Sequence, residues 1–300
     1  MHSEILSYEA DGLQMESHLY IGDSHRGRRP GVLVFPEAFG LGDHAKSKAK
    51  RLAEAGYVAL ACDIHGGGTI LTDREQVMAE LGALFQAPER IEARAKGGLD
   101  ALLARPEVDP ARVASIGFCF GGTLSLELAR GGNPIAGVVG FHSGLATARP
   151  EAAKNIKASI LVLIGADDPV IPPEQRAAFE AEMRAAKVDW QMKLYGGVVH
   201  SYTSPEADRL GMPDFARYDA VADRRSWAEM LVFFDETFGK RPADVTDRPE
   251  GSAARLRREA ARTRLSALDA EDAEERQSLT EMAAMFEREA AAIDAALDSL

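Results

Sequence analysis

Cysteine is scarce in this chain of 300 residues, which carries only Cys62 and Cys119. Two cysteines cannot build the disulfide framework of a small secreted domain. Neither stands in a Cys-x-x-Cys pair or at a His-bearing zinc spacing, so we expect no metal site. A working thiol suits a reducing compartment. The sequence therefore predicts a cytoplasmic protein that needs no cofactor.

Positive charge and long apolar runs are also lacking. The chain has 35 Lys and Arg residues against 47 Asp and Glu residues, a formal net charge of -12. Because phosphate binding needs clustered Lys and Arg, we expect no nucleic-acid partner. No run is long enough to span a bilayer, and residues 1–6 lack a basic region followed by an apolar stretch, so we expect no membrane partner. A hydrophobic fraction of 46% is ample for the core of a soluble enzyme.

Strand and helix patterns alternate along the first 240 residues. Asp11-Gly12 between two alternating runs predicts an opening hairpin. Apolar runs predict strands at 30–35, 57–62, 138–142, 159–164 and 190–195, and helical spacing predicts helices at 45–54, 73–85, 88–103, 123–130, 173–186 and 225–238. This alternation predicts an α/β protein with a mostly parallel central sheet flanked by helices, and with ligands at the carboxyl ends of the strands.

Glycine and proline are absent from Ser252 to Leu300. We therefore expect a catalytic domain over 1–240, a linker over 241–250 and a C-terminal helical hairpin over 251–300, broken near 269–272. Its predicted apolar stripe consists of Leu256, Ala260, Leu265, Leu268, Leu279, Met282, Phe286, Ile293 and Leu297. Such a stripe packs against its own domain or against a second subunit, which would give a homodimer.

The segment from Ser115 to Gly122 has the sequence Ser-Ile-Gly-Phe-Cys-Phe-Gly-Gly and lies between a strand pattern and a helix pattern. A strand that ends in Gly-x-Cys-x-Gly and turns into a helix is the nucleophile elbow of an α/β-hydrolase, with Cys119 in place of the usual serine. The helix N-terminus favours a thiolate and, later, an oxyanion. The alternative is a buried structural cysteine in a glycine-rich turn.

Two later loops supply an acid and a base. Asp168 follows the buried strand at 159–164, and His200 follows the strand at 190–195. Nucleophile, acid and base therefore occur in the order Cys, Asp, His, which is the α/β-hydrolase order. Taken singly, Asp168 could be a turn residue and His200 a loop histidine, but three such residues in the right order favour a triad.

From about Leu13 to about Phe238 the chain resembles the dienelactone hydrolase family. The resemblance rests on the Gly-Phe-Cys-Phe-Gly-Gly elbow, the Gly-Ala-Asp-Asp-Pro-Val-Ile-Pro loop at 165–172, the loop of His200, and Pro-Glu-Ala-Phe-Gly at 36–40. It implies that Cys119 attacks an ester or lactone carbonyl and forms a thioester. The backbone N–H groups of Ala38 and Phe120 would then hold the oxyanion.

The resemblance also gives Glu37 a catalytic role. In this family the matching glutamate lies beside the cysteine in the resting enzyme and takes its proton when substrate enters. A carboxylate beside a thiol disfavours the thiolate and so protects Cys119 from oxidation. The alternative is an exposed loop glutamate.

Substrate contacts are less firmly indicated. The candidates border the predicted site and are Phe39, His65, Arg90, Arg94, Ser201 and Tyr202. Dienelactone hydrolases grip a substrate carboxylate with arginines, but no arginine follows His200 before Arg209. The resemblance therefore supports a hydrolase of small esters or lactones, without fixing the substrate.

Three other functions remain open from the sequence. Cys119 could be a redox or sensing thiol, although Cys62 is a poor resolving cysteine because it lies on a different predicted strand. The fold could also be a binding module without catalysis. Finally, the C-terminal hairpin could be the functional part, with the hydrolase domain as a scaffold.

Overall fold

The structure is a computed structural model that describes residues 1–23, 27–239, 256–257, 259–261, 263–264, 266–267, 270 and 272–297. Its strands are β1 His2–Ala10, β2 Leu13–Ile21, β3 Arg29–Phe35, β4 Val58–Ala61, β5 Val108–Phe118, β6 Gly137–Phe141, β7 Ser159–Gly165 and β8 Trp190–Tyr195. Its α-helices are α1 Asp43–Glu54, α2 Arg74–Phe85, α3 Pro88–Leu103, α4 Phe120–Arg130, α5 Pro173–Ala186, α6 Ala220–Gly239 and α7 Ala273–Leu297.

The eight strands form one sheet in the order β1-β2-β4-β3-β5-β6-β7-β8. β1 and β2 are an antiparallel hairpin, and β2 also runs antiparallel to β4. All pairs from β4 to β8 are parallel. The predicted α/β-hydrolase fold with a mostly parallel sheet is confirmed. Parallel strands place their carboxyl ends at one edge of the sheet, so the loops after β3, β5, β6, β7 and β8 meet there.

Local sequence explains most of these elements. Asp11 and Gly12 have φ values of 50° and 69°, the left-handed pair that a two-residue hairpin needs. β3 is buried at every residue, as expected for an inner parallel strand. Three helices begin earlier than predicted, α1 by two residues. α4 starts at Phe120, directly after the nucleophile, and α6 starts at Ala220, where the Asp219 carboxylate accepts the Ala222 N–H at 2.8 Å.

A buried ion-pair cluster joins α4 to α5. The Arg130 side chain is fully buried, and it donates to Glu127 at 2.8 Å and to both carboxylate oxygens of Glu182 at 2.7 and 2.8 Å. Arg149 donates to the other oxygen of Glu127 at 2.6 Å. Every charge in the cluster is thereby paired, which offsets the cost of taking it out of water.

The structure divides into two compact units, Met1–Gly239 and Lys240–Leu300. The linker predicted at 241–250 lies outside the described residues. In the second unit, residues 256–257, 259–261, 263–264 and 266–267 are helical. α7 then begins behind Asp272, whose carboxylate accepts the Glu274 N–H at 3.1 Å. An ion pair between Arg264 and Glu287 joins the two helical segments.

The predicted apolar stripe of the second unit needs correction. Met282 is 43% exposed, whereas Ala283 and Ala290 are buried. The prediction placed Met282 on the buried face of the helix, whereas Ala283 and Ala290 occupy that face. The side chains of Leu265, Leu268, Ile293 and Leu297 lie outside the described residues. In the part of the chain that the structure describes, no helix is long and apolar enough to cross a bilayer.

Candidate active site

The turn between β5 and α4 presents Cys119. This residue has φ 54° and ψ -118°, a left-handed conformation that a side chain rarely adopts, and it is partly exposed. The neighbouring glycines allow the chains to approach. A Cβ on Gly117 would lie 2.0 Å from the carbonyl oxygen of Gly121, and one on Gly121 would lie 2.3 Å from that of Phe35. The turn therefore has the tight geometry of a nucleophile elbow.

Two buried side chains from the loops after β7 and β8 stand next to each other. Oδ2 of Asp168 is 2.8 Å from Nδ1 of His200. The other carboxylate oxygen of Asp168 accepts the Val170 N–H at 2.8 Å, which fixes the carboxylate in its own loop. The backbone of His200 is bound on both sides, since its N–H donates to the Phe215 carbonyl and its carbonyl accepts the Arg217 N–H, each at 3.2 Å.

The imidazole of His200 also forms a hydrogen bond with the side chain of Cys119. Burial favours the neutral imidazole, but the charge of Cys119 and its hydrogen bonds, with those of Asp168, outweigh burial and raise the pKa of His200 to about 10. The structure thus brings Cys119, His200 and Asp168 into one hydrogen-bonded chain. Each of the three follows the carboxyl end of a strand.

The predicted oxyanion donors are the backbone N–H groups of Phe120 and Ala38. Phe120 is the first residue of α4, and the first N–H groups of a helix have no partner inside it. Ala38 follows β3, and its carbonyl oxygen lies 2.8 Å from Nε2 of His65. His65 was predicted as a substrate contact, but here it anchors the loop that carries Ala38. The Asp63 carboxylate in turn accepts the His65 N–H at 3.0 Å.

Glu37 has a partner that the sequence did not indicate. Its Oε1 lies 2.6 Å from Nδ1 of His44 on α1. Nε2 of His44 lies 2.9 Å from the carbonyl oxygen of Thr203, which can only accept. Each nitrogen of the His44 ring therefore faces an oxygen atom. Burial raises the pKa of Glu37, but the charge and hydrogen bond of His44 outweigh it and lower that pKa below its ordinary value.

The resting arrangement therefore differs from the one expected. The resemblance placed Glu37 beside the thiol, whereas the structure pairs Glu37 with His44 and Cys119 with His200. The sequence feature that could have indicated the Glu37–His44 pair was a histidine at the start of the following helix. Its significance could not be read from the sequence, because the helix pattern there is simply amphipathic.

A second buried histidine was also missed. His142 directly follows β6 and is fully buried, with its ring centroid 5.1 Å from that of His200 in an edge-on contact. Its Nε2 is 2.8 Å from Oγ1 of Thr203. Burial and the charge of His200 lower the pKa of His142 well below its ordinary value, so the ring is neutral. Thr203 therefore links His44 and His142 behind the site. The position of His142 between the strands of Cys119 and Asp168 was a usable signal.

The arginines predicted to bind substrate are engaged elsewhere. Arg94 is not a surface residue but is buried, and it donates to Asp11, to Glu80 and to the Ile64 carbonyl. Arg90 forms a two-nitrogen contact with the same Asp11 at 3.0 to 3.1 Å. The prediction that either arginine binds a substrate carboxylate is therefore corrected.

The remaining predicted contacts divide into three cases. Tyr202 is fully buried and its hydroxyl donates to the Leu163 carbonyl at 3.2 Å, so the prediction of a substrate contact is corrected. Ser201 is partly buried and adopts a φ of 54° in the turn after His200. Phe39 is 44% exposed directly beside Ala38.

The second cysteine, Cys62, has the features of an unreactive thiol. Cys62 is buried, and burial raises the pKa of its thiol far above the ordinary value. Within the described residues, no group of three His, Cys, Asp or Glu side chains could hold a metal ion. The chemistry of the site therefore centres on Cys119.

Comparison with known proteins agrees with this geometry. The model of the dienelactone hydrolase family matches residues 15–238. A solved structure named m3DLH is 44% identical, covers 79% of this chain and 98% of its own, and superposes with a TM-score of 0.76. A dienelactone hydrolase-like promiscuous phosphotriesterase from metagenomic libraries is 42% identical over the same shares, with a TM-score of 0.75.

A third relative is more distant. Protein usf of Aquifex pyrophilus is 27% identical over 248 residues, which are 78% of this chain and 98% of that protein. The family match covers β2 to α6 and contains Cys119, Asp168 and His200. This chain therefore belongs to the dienelactone hydrolase family and is a hydrolase of the carboxylic ester or lactone class.

Proposed function

We propose that this protein hydrolyses small carboxylic esters and lactones through a Cys119–His200–Asp168 triad and a thioester acyl-enzyme. The observation that carries the proposal is the hydrogen-bonded chain from Cys119 through His200 to Asp168, with Cys119 at the N-terminus of α4. A thiol is a weak nucleophile at its free pKa and needs an adjacent base. His200 is that base, and Asp168 holds the imidazole in the required tautomer.

The raised pKa of His200 favours transfer of the thiol proton to the imidazole before substrate is attacked. Acylation then proceeds by attack of the Cys119 thiolate on the substrate carbonyl carbon. The carbonyl oxygen becomes an oxyanion, which accepts hydrogen bonds from the N–H groups of Ala38 and Phe120. When the tetrahedral intermediate collapses, the C–O bond to the leaving group breaks and the His200 imidazolium protonates the departing alkoxide or enolate. A thioester remains on Cys119.

Deacylation reverses these proton transfers. Water gives a proton to His200 and attacks the thioester carbonyl, again through an oxyanion held by the same two N–H groups. The C–S bond breaks, the thiolate recovers its proton from His200, and the carboxylic acid leaves. The overall reaction consumes one ester or lactone and one water and needs no cofactor.

A phosphotriesterase activity is the second candidate. It is favoured by the 42% identity with the dienelactone hydrolase-like promiscuous phosphotriesterase from metagenomic libraries. In that reaction Cys119 would attack phosphorus, expel an alcohol and leave a phosphorylated sulfur for water to cleave. Aryl phosphotriesters therefore belong in the substrate panel.

The proposal extends to cellular setting and assembly. A nucleophilic thiol must stay reduced, which favours the cytoplasm. We assign the domains as a catalytic domain over 1–240, a linker over 241–250 and a helical hairpin over 251–300. The hairpin serves assembly, as in a homodimer, rather than chemistry.

The test is acyl-enzyme trapping with a 4-nitrophenyl ester. Wild-type protein should release a burst of nitrophenol equal to the enzyme, and intact mass should increase by one acyl group. Cys119→Ala should lose more than about 10³-fold in turnover while keeping its circular dichroism spectrum. Cys62→Ala is the matched control and should retain both burst and turnover.

Each rival function predicts a different result. A redox or sensing thiol would show no burst and no mass gain from the ester, yet Cys119 would oxidise readily in dilute peroxide. A binding module would show neither. Turnover that survives in Cys119→Ala would overturn the proposed nucleophile.

A further inference from the structure

Exposed apolar side chains surround the groups assigned to catalysis. We propose that the site takes neutral esters with an aryl or alkyl group, which lies on an apolar rim of Phe39, Phe85 and Phe215. The inference rests on the proposed ester hydrolase function and names its substrate class. The three phenylalanines are 44%, 45% and 38% exposed, respectively.

The first rim residue stands over the nucleophile turn. Phe85 is the last residue of α2, and its ring meets the Phe120 ring edge-on with centroids 5.6 Å apart. Phe120 follows Cys119 and is itself almost fully buried. Because the inner ring fills the core and the outer one remains open to solvent, an aryl or alkyl group beside Cys119 can cover Phe85.

The second rim residue stands beside the base. The rings of Phe215 and His200 have centroids 6.1 Å apart, and the Phe215 carbonyl accepts the His200 N–H at 3.2 Å. Phe215 is therefore held in place by its backbone while its side chain remains exposed. An apolar group that covers it would also exclude water from the imidazole.

The third rim residue adjoins the oxyanion donor. Phe39 follows Ala38, and its carbonyl accepts the Leu71 N–H at 2.8 Å, which draws Ile70 to the same loop. Ile70 is 50% exposed. The nucleophile turn, the base and the oxyanion donor thus each have an exposed apolar side chain nearby. On an ordinary protein surface, exposed apolar residues are instead scattered singly.

The charges around the site oppose an anionic substrate. Arg90 and Arg94 are ion-paired with Asp11 and Glu80. After His200, Arg217 donates to the backbone carbonyls of Pro213 and Gly197. These arginines therefore have partners already.

The other arginine of that segment extends into solvent and does not form a clamp. Arg209 has a side chain that is 81% exposed, 3.7 Å from Glu206. The chain as a whole carries a net charge of -12. Like charges lower the rate at which an anionic substrate reaches such a site.

The experiment compares 4-nitrophenyl hexanoate with the 4-nitrophenyl monoester of adipic acid. Both have six acyl carbons and the same leaving group, and they differ by a terminal carboxylate. We expect wild-type kcat/KM to be at least about tenfold higher for the hexanoate, the range that an apolar contact gives in a pocket. Equal values, or a preference for the adipate, would overturn the inference.

Variants of the rim residues test whether the rim causes the preference for the hexanoate. Phe85→Ala and Phe215→Ala should each raise KM for the hexanoate about fivefold or more and leave KM for the adipate nearly unchanged. Phe85→Leu should keep most of the preference. Leu194→Ala, at a residue 47% exposed on β8, is the matched control and should change nothing. An unchanged KM in both phenylalanine variants would show that the rim does not bind the substrate.

A further variant tests the arginines. Arg90→Gln should leave the adipate kinetics unchanged, because Asp11 already occupies that guanidinium. A large rise in KM for the adipate alone would show that Arg90 binds the carboxylate and would overturn the inference. If folded wild-type protein hydrolyses neither ester, the proposed function fails, which is distinct from hydrolysis with the wrong preference.

Discussion

Glu37 and His44 form a close pair at the edge of the active site, with 2.6 Å between carboxylate and imidazole. The pair gives a partner on α1 to the glutamate that the family resemblance assigns to the thiol. His44 is fixed on its other side by the Thr203 carbonyl. The charge of Glu37 is thereby partly compensated, and the interaction of Cys119 with His200 is less disturbed than it would be beside a lone carboxylate.

The pair predicts opposite effects for its two members. Glu37→Gln removes the carboxylate charge near the site, which favours the thiolate, so Cys119 should react faster with iodoacetamide at neutral pH. His44→Gln takes away the partner of the Glu37 carboxylate, whose charge then acts on the thiol with less compensation, so Cys119 should react more slowly. Alkylation rates measured from pH 5 to pH 10 would show the two profiles displaced in opposite directions.

The control for this comparison is His2→Gln, at an exposed histidine near Glu4. Its profile should match the wild type. Displacement of both variants in the same direction would mean that the pair is structural and does not act through charge on the thiol.

The acid of the triad can be distinguished from its neighbour in sequence. Asp168→Asn should cost about 10⁴-fold in kcat, because the amide leaves the imidazole of His200 in the wrong tautomer. Asp167 is exposed, so Asp167→Asn should stay close to wild type. Steady-state kinetics on one activated ester decides between them, and equal losses would reassign the acid.

The pKa of His200 predicts a pH dependence of stability. Its folded value of about 10 lies above the ordinary value of 6.5. A group with a raised pKa stabilises the folded state fully below its unfolded pKa, and the contribution disappears as pH rises through the folded pKa. The free energy of unfolding should therefore fall more between pH 6.5 and pH 10 in the wild type than in His200→Gln.

Urea unfolding at several pH values measures this difference. Because Cys119 is a principal cause of the raised pKa, Cys119→Ala should reduce the fall as well. A wild type and a His200→Gln variant with parallel curves would show that the pKa is not raised.

The buried cluster of α4 and α5 predicts a large loss of stability without a loss of chemistry. Arg130→Met leaves Glu127 and Glu182 buried without their shared partner and should cost about 3–5 kcal/mol of unfolding free energy. Arg184→Met removes an exposed pair with Glu180 and should change stability by less than about 0.5 kcal/mol. A small effect of Arg130→Met would mean that water reaches the cluster.

A chain that ends at Asp247 should fold and hydrolyse small esters. All residues assigned to chemistry lie in the unit Met1–Gly239. Circular dichroism, ester kinetics and light scattering would test the fold, the chemistry and the assembly separately. Loss of turnover from a folded shortened chain would show that the C-terminal segment completes the site.

The sequence predicted the fold because the fold depends on local patterns that survive in the structure. The apolar runs predicted the bounds of β3, β4, β6, β7 and β8 within one residue. The start of α6 was missed by five residues, since capping by Asp219 is a contact of one side chain rather than a periodicity. Arg94 was misplaced because an arginine on a helix is usually solvated, and its partner Asp11 lies in a distant hairpin turn.

For the site, order along the chain was enough to bring Cys119, Asp168 and His200 together. It was not enough to find His44 or His142, because their significance comes from Thr203, which lies far from both in sequence. Contacts of this kind depend on how whole elements pack. Such contacts produce no regular spacing of residues that could be recognised in a single sequence.

The glycines of the elbow determine which substitutions the turn can accept. A Cβ on Gly117 would meet the Gly121 carbonyl oxygen at 2.0 Å, and one on Gly122 would meet Oγ of Ser143 at 1.7 Å. Cys119, in contrast, already carries a side chain in this turn and is partly exposed, so we expect it to accept exchange. In a saturation library of this turn, selected for folding alone, variants should accumulate at the nucleophile and be absent at Gly117. The same scaffold can therefore change its chemistry by a single codon while its backbone remains unchanged.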